Sequence, residues 1–468
     1  MARGKKKESL TPEERLQAAL VPESEQPYKV PENWCWVRLT SLKNGDNGFF
    51  DGDWILSENM DPTGDIRLLQ LSDIGIGEFL DKSNKHINEK TFKQLACSEL
   101  NEGDIMISRM AEPIARSCIV PKFPYKVITA VDVAVLRCNS HFVIDQYINY
   151  ICNTKWFTDL AFKLARGTTR VRITRKNLGE MPIPLPPLTE QQRIVDRIES
   201  LFAKLDEAKQ KAQEALDSFE TRKAAILHKA FTGELTAQWR KEHGVGMKSW
   251  ENLRLENLIE GGPQNGLYKP QTAYGTGTKI LRIDCFYEGA VLPWENLKRL
   301  ALSKNEIEQY HLNINDIVIN RVNSMAYLGK SALIRELPEE CVFESNMMRI
   351  TLNTRIVIPE YAIKYLNSVI GVQELRKNAK QAVNQASINQ QDVKNVAIKL
   401  PKLDEQAEIV RLLDDLLTKE QQAKEAVEGV LEQIDLIKKA ILTRSFRGEL
   451  GTNDPTEESA VELLKTIL

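Results

Sequence analysis

Residues 185–198 read LPPLTEQQRIVDRI, and residues 400–413 read LPKLDEQAEIVRLL. Seven of the fourteen positions are identical, at an offset of 215 residues. The likeness extends outward from this stretch. KAAILHKAFTGEL (223–235) matches KKAILTRSFRGEL (438–450) at the same offset of 215. GDIMISRM (103–110) matches NDIVINRV (315–322), and RLLQLSDIGIGEFL (67–80) matches KILRIDCFYEGAVL (279–292), both at 212. Trp34 with Arg38–Leu39 matches Trp250 with Arg254–Leu255 at 216. Small drifts in offset are short insertions inside a repeat. The chain is two copies of one unit of about 215 residues, a length that means a duplicated domain and excludes a solenoid array.

Each copy has two unlike parts. The first, about 31–187 and 249–402, carries strand-like runs such as Asp104–Ser108, Val127–Leu136 and Asp316–Asn320, punctuated by Gly, Pro and Asn. The second reads as a long helix. Pro186 and Pro187 close an extended stretch. Thr189, three residues before Gln192, offers a capping box, and Asp404 offers the N-cap in the second copy. Ile198, Leu201, Leu205, Ala208, Ala212, Ala215, Phe219 and Ile226 then step by 3 and 4, with Arg222 in one polar slot. Ile409, Leu413, Leu416, Ala423, Val427, Val430, Ile434, Ile437 and Ile441 repeat the pattern, interrupted by Glu420. Sustained heptads predict a coiled coil. Gly233 and Gly448 end the two helices. Each spans about 42 residues, roughly 60 Å at about 1.5 Å per residue. Neither helix can hide its apolar stripe alone, but two from one duplicated chain can hide each other's. A twofold-related pair would be antiparallel, with the mixed domains at opposite ends. The fold class expected is α+β: two mixed α/β domains with β-rich cores, two long antiparallel helices forming a coiled coil, and a pseudo-twofold internal repeat. The expected boundaries are an amino-terminal arm with a short helix (1–30), a mixed domain (31–187), a helix (188–232), a linker (233–248), a second mixed domain (249–402), a second helix (403–447) and a tail (448–468). In the arm, Thr11, Pro12 and Glu14 make a good helix start.

The 468 residues carry a net charge of −2, so any surface for nucleic acid is local and not a global basic field. No apolar run approaches a membrane span, and the amino terminus lacks an apolar signal core. Cys35, Cys97, Cys118, Cys138, Cys152, Cys285 and Cys341 are scattered, odd in number and without a CxxC pair. That pattern fits reduced thiols in a cytoplasm better than a disulfide framework or a zinc site. His86, His141, His228, His243 and His311 lie far apart, without metal spacing. SMAYLGKS (324–331) ends like a phosphate loop at Gly329–Lys330–Ser331, but Ser324 stands where the loop needs its first glycine. The pattern reads as a strand end and turn. No catalytic constellation emerges, and no metal or cofactor is expected on this chain.

One segment carries distinctive chemistry. KLARGTTRVRITRK (163–176) holds six basic residues and no acid, interleaved with Thr168, Thr169 and Thr174. Its counterpart, RKNAKQAVNQASINQQ (376–391), replaces most arginines by Asn and Gln. Arginine pairs bidentately with guanine and phosphate, and amides with adenine. Two loops at one position of the repeat, with different donor patterns, are what two readers of different DNA sequences should carry. The candidate DNA-contact residues are Arg109, Arg166, Thr168, Thr169, Arg170, Arg172, Arg175 and Lys176 in the first copy. In the second they are Arg321, Asn323, Lys380, Gln381, Asn384, Gln385 and Asn389. Two such readers would suit a bipartite target with half-sites about one helical turn (~34 Å) or slightly more apart. The competing readings are a coiled-coil scaffold whose two heads bind protein, and a nucleotide hydrolase built on Gly329–Lys330–Ser331.

LPPLTEQQRIV, the long helix and KAAILHKAFTGEL, with their second copies, resemble the specificity (S) subunits of type I restriction–modification systems. The resemblance covers nearly the whole chain, the DPTEESAVELLKTIL tail included. It implies two target recognition domains, at 31–187 and 249–402, alternating with two helical conserved regions. It implies no catalysis by this chain. It also implies assembly with two adenine-methylating (M) subunits that use S-adenosylmethionine and, in the full complex, two restriction (R) subunits that use ATP and Mg and translocate DNA. One recognition domain would read each half of an asymmetric site, while the helices set the spacer and dock the M subunits. Base-contact residues do not carry over from the family, because its recognition domains vary.

Overall fold

The computed structural model describes residues 11–110, 112–287, 289–383 and 385–467. The chain separates into two compact units. One takes the chain up to Lys211 together with everything from Val430 on, and the other takes Ala212–Gly429. Both units therefore hold parts of both copies of the repeat.

In the first unit a four-stranded antiparallel sheet runs in the order Phe49–Asp51, Val133–Leu136, Ile105–Ser108, Ser117–Ile119. A three-stranded sheet sets Ile66–Leu69 between Lys85–Ile87 (antiparallel) and Val127–Thr129 (parallel). A strand pair, Cys35–Arg38 with Pro182–Leu185, closes the domain with Trp36 opposite Pro184. The second unit repeats all three. Its four-stranded sheet is Ile259–Asn265, Met347–Leu352, Asp316–Asn320, Ser331–Leu333, and its three-stranded sheet is Arg299–Leu300, Tyr274–Leu281, Cys341–Phe343. The closing pair is Glu251–Arg254 with Ala397–Leu400. The run Val127–Leu136, expected as one strand, is two strands in different sheets, because the chain turns at 130–132. Strand interiors such as Ile105–Ser108 and Asp316–Asn320 are buried throughout, which explains their unbroken apolar reading.

The long helices span Leu188–Thr232 and Leu403–Ser445. Each starts one residue earlier than its expected cap. Thr189 therefore lies inside the first helix, where its hydroxyl donates to Glu457 at 2.7 Å, and Asp404 lies in the first turn of the second. Gly233 (φ +86°) follows the first helix directly, and Gly448 (φ +74°) lies three residues beyond the second. The two helices pair antiparallel within each unit. In the first, Lys438 meets Asp206 at 2.5 Å and Lys209 meets Asp435 at 3.2 Å. In the second, Arg222 meets Glu420 at 2.9 Å, so the two polar interruptions of the heptads form an ion pair. The apolar seam is thinner than the periodicity suggested: Ala208, Ala423, Val430 and Ile437 are exposed, as is Leu436. Buried contacts concentrate where each helix end meets a mixed domain, at Ile194, Val195 and Ile198, and at Ile409 and Leu413.

At the amino terminus, Thr11 and Glu14 close a capping box on the helix Pro12–Ala19. The seven cysteines are free thiols, six of them buried, and burial pushes those of Cys35 and Cys152 up to about 12. No described helix is long and apolar enough to cross a membrane. No group of His, Cys, Asp or Glu among the described residues is placed to hold a metal ion.

Candidate DNA interface

The quoted motif explains how each mixed domain is seated on the helices. Glu190 and Gln191 open the first helix fully buried, and Glu405 and Gln406 open the second in the same way. Gln191 accepts from the Ile144 N–H at 3.0 Å, and its amide donates to the carbonyls of Phe142 (2.8 Å) and Pro186 (3.1 Å). Gln406 accepts from Ile358 at 2.8 Å and donates to Ile356 (3.0 Å) and Pro401 (2.8 Å). The indole of Trp34 donates to Glu190 at 2.8 Å, and that of Trp250 to Glu405 at 3.0 Å. Each of these side chains satisfies orphan groups that burial would otherwise penalise. The other helix supplies an aromatic plug. Phe446 stands edge-on to Tyr147 at 5.3 Å in the first unit, and Phe231 to Tyr361 at 5.4 Å in the second. The tyrosines donate at 2.8 Å to the carbonyls of Pro184 and Lys399.

Beyond each plug the two units diverge. In the first unit the chain end folds back: Glu457 takes Arg193 through two bonds at 2.7 and 2.8 Å, and Asn33 donates to the Asp454 carbonyl at 3.0 Å. In the second, Arg240 from the short helix Ala237–Glu242 pairs with Glu405 at 2.6 Å and lies over the Trp250 ring.

The two loops singled out from sequence occupy the same place in both units. In the first, Arg166 and Arg172 exchange backbone bonds at 2.9 Å in both directions, leaving Gly167, Thr168, Thr169 and Arg170 exposed at the tip. In the second, Lys380–Gln381 pairs with Ala386–Ser387, and the tip carries exposed Val383 and Gln385. Asn384 lies outside the described residues. Each hairpin meets the domain at an equivalent bond, Ile173 N–H to the Arg109 carbonyl and Ile388 N–H to that of Arg321, both 2.9 Å, and the second hairpin also pairs with the strand Val322–Asn323. Arg109 and Arg321 are thus equivalent, and both begin beneath the hairpin.

The base of the first hairpin is an ion cluster. Arg109 is buried. Its guanidinium pairs with Asp51 and donates to the carbonyls of Ile173 (3.2 Å) and Val131 (3.3 Å). Burial pulls its pKa down, and the carboxylate of Asp51 opposes that pull. Arg175 meets Asp51 at 3.3 Å and donates to the Phe49 carbonyl at 2.6 Å; Arg172 meets Asp132 at 3.4 Å. Arg166, Arg170 and Lys176 make no ion pair among the described residues and face solvent. At the equivalent place in the second unit, Asn265, Arg321, Asn389, Gln390, Gln391 and Lys394 line an open cavity of about 400 Å³. Arg321 donates to the Ser345 carbonyl at 3.0 Å, while its Nε is buried without a partner among the described residues. Asn389 caps the helix Gln390–Lys394, accepting from the N–H groups of Gln391 and Asp392. Asn323 accepts from Ser324 at 2.8 Å. The hairpin tips are therefore open, while Arg109, Arg172, Arg175, Asn323 and Asn389 already serve the fold. Sequence reasoning did not find Asp51 or Asn265, which only the sheet register brings beneath the hairpins.

Gly329–Lys330–Ser331 is no phosphate cradle. The Lys330 ammonium lies 3.5 Å from the Tyr287 ring centroid, flanked by Phe286 and Tyr327, and Ser331 donates to the Gly329 carbonyl at 2.9 Å. Lys330 is held among aromatic faces.

The chain is similar to known proteins in sequence and in fold. Two stretches, 42–216 and 247–429, match the type I restriction modification DNA specificity domain. The type I restriction enzyme EcoKI specificity subunit of Escherichia coli (strain K12) is 26% identical over 313 residues, 66% of either chain. The StySPI specificity subunit of Salmonella potsdam is 27% identical over 310 residues, again 66% of each, so the match spans just under two thirds of these relatives. Among solved structures, the HsdS subunit from Thermoanaerobacter tengcongensis superposes with a TM-score of 0.61 at 23% identity, over 91% of this chain and all of that one. A chain solved in work on complex assembly and conformational transition of the type I R-M system gives 0.66 at 22%, with the same coverage. With both halves of its repeat matched, and more than half of its length, this chain belongs to the family of type I restriction–modification DNA specificity domains.

Proposed function

We propose that the chain is the DNA-reading subunit of a type I restriction–modification complex. Each hairpin reads one half of a bipartite, asymmetric target. The observation that carries this reading is the pair of equivalent hairpins: one backbone position, an equivalent bond to Arg109 or Arg321, and exposed arginine and threonine in one unit against exposed lysine and glutamine in the other. The major groove admits a two-stranded ribbon, and these side chains are the donors and acceptors that distinguish base pairs there. Exposed Arg170, Arg166, Lys176 and Lys380 would set register on phosphates. Arg109 and Arg321 would act from beneath, by holding the hairpins. The recognition domains are 31–187 and 249–402.

The two long helices set the spacer between half-sites and dock two M subunits. Val430, Leu436 and Ile437, left exposed on the second helix, support a docking role. Methyl transfer and ATP-driven cleavage belong to the M and R subunits with their S-adenosylmethionine, ATP and Mg. The complex works in the cytoplasm, and this chain supplies recognition without a reaction of its own.

The test is methylome sequencing of cells expressing this chain with a type I methyltransferase subunit from the same host. Replacing residues 31–187 by the recognition domain of a relative should change one half of the methylated motif and leave the other half and the spacer intact. A change in both halves, or in neither, overturns the reading. DNA binding that does not weaken as salt rises would point to a protein-binding scaffold instead.

A further inference from the structure

We infer that Trp54 and Tyr268 are a matched pair of aromatic anchors, one per unit, that pack against the bases or sugars of the duplex beside each hairpin. The inference rests on the DNA-reading function proposed above and adds two residues to it.

The two positions are equivalent by hydrogen bonding. Gly52 N–H donates to Val133 at 2.9 Å, and Gly266 N–H to Met347 at 3.1 Å. The next residues, Asp53 and Leu267, donate to Thr129 (2.7 Å) and Phe343 (2.9 Å), and form parallel bridges to Ala130 and Glu344. Each residue in the first unit and its counterpart in the second lie 214 positions apart, five pairs in all. The glycines are required by close approach: a Cβ on Gly52 would sit 2.3 Å from the Ala130 carbonyl oxygen, and one on Gly266 2.2 Å from that of Glu344. Backbone is thus clamped on backbone two residues before each ring, which fixes where the ring leaves the domain.

The flanks share little beyond this. DGDWIL and NGLYKP keep the glycine and, two residues later, an aromatic. A ring retained for packing would be buried, yet Trp54 is 67% exposed and Tyr268 76%. Two large rings held in water at one position of a duplicated unit point to a surface that covers them. The neighbours indicate which surface. Asp51, three residues before Trp54, carries Arg109 and Arg175, and Arg172 bonds the Val131 carbonyl on the turn next to Ala130. Asn265, three residues before Tyr268, lines the cavity with Arg321 and Lys394. A protruding ring three residues along the chain from a position that meets cationic or amide side chains suits a polyanion whose interior is aromatic. Apolar wedges that pack on or between base steps use that combination.

The experiment uses the complex of this chain with its methyltransferase subunit and a fluorescent duplex carrying the methylated site, titrated over a salt series. Trp54→Ala and Tyr268→Ala should each weaken binding about tenfold or more with the slope of log K against log salt unchanged, because no counterion is released by a ring. Trp54→Phe should recover most of the loss. Arg170→Ala, run in parallel, should lower the slope by about 1. If Arg170→Ala behaves so while both ring variants bind within about twofold of the parent, the anchors are overturned and the DNA-reading function stands. If the ring variants lose the methyltransferase subunit on gel filtration, the rings cover a protein contact and the inference also falls. If the parent complex itself shows no salt-sensitive preference for the site, the DNA-reading function fails first.

Discussion

Beneath the first hairpin, the carboxylate of Asp51 takes two arginines, Arg109 and Arg175; beneath the second, Asn265 stands with Arg321 and Gln390 around an open cavity. An equivalent N–H of each hairpin donates to the carbonyl of Arg109 or Arg321, and the second hairpin also pairs with the strand Val322–Asn323. At the helix seats the opposite holds. Trp34, Glu190, Gln191, Tyr147 and Phe446 recur as Trp250, Glu405, Gln406, Tyr361 and Phe231, with hydrogen bonds that match one for one. A buried amide or carboxylate is hard to change, because each orphaned partner costs about 1–3 kcal/mol. An exposed tip residue costs little. The fold therefore keeps its invariance at the seats and leaves the hairpins free to differ.

The largest break in that comparison should come from the aromatic plugs. Phe446→Ala should destabilise the first unit, and Phe231→Ala the second, by about 3–5 kcal/mol each. Hydrogen exchange should show the loss confined to the unit concerned; loosening of both units by one substitution would mean that the seats are not independent. Next in size, Asp51→Asn makes the first unit resemble the second without supplying its Gln390. The Arg109 guanidinium loses a charged partner, which should cost about 1.5–3 kcal/mol, read as earlier melting of the first unit. A neutral outcome would show that the ion cluster adds nothing over the amide version. Lys380→Ala should lower the salt slope of DNA binding by about 1 and weaken all sequences alike, whereas Gln381→Ala should relax specificity in one half-site; equal effects on cognate and non-cognate duplexes would remove Gln381 from base reading.

The smallest effect should be at the chain end. Hydrogen bonds from Arg193 hold the Glu457 carboxyl below its ordinary range. A depressed folded pKa stabilises above the unfolded value of about 4.3, and that contribution disappears as pH falls through the folded value. The stability difference between the parent and Glu457→Gln should thus be full at neutral pH and vanish in acid. A difference that grew in acid would reverse the assignment.

The internal repeat was legible because identical buried chemistry has to be written with identical residues: LPxL, EQ and IV are the visible trace of the seats. The heptads were legible for the same reason, though only in part. Val430 and Ile437 fit the spacing and yet are exposed, because periodicity states which face a residue occupies and not whether another helix covers it. The hairpins were found by composition. Their supports were not, since Asp51 and Asn265 are polar residues without local pattern, placed by strands paired across most of a domain.

By itself, then, the sequence determined the duplication, the two long helices and the two chemically different loops, all of which arise from local pattern repeated at a fixed offset. Only tertiary structure decided which helix end seats which domain, what lies beneath each hairpin, and that Trp54 and Tyr268 emerge at one equivalent place. Those outcomes depend on contacts between residues far apart in the chain, where strand register and close backbone approach at Gly52 and Gly266 choose the neighbours.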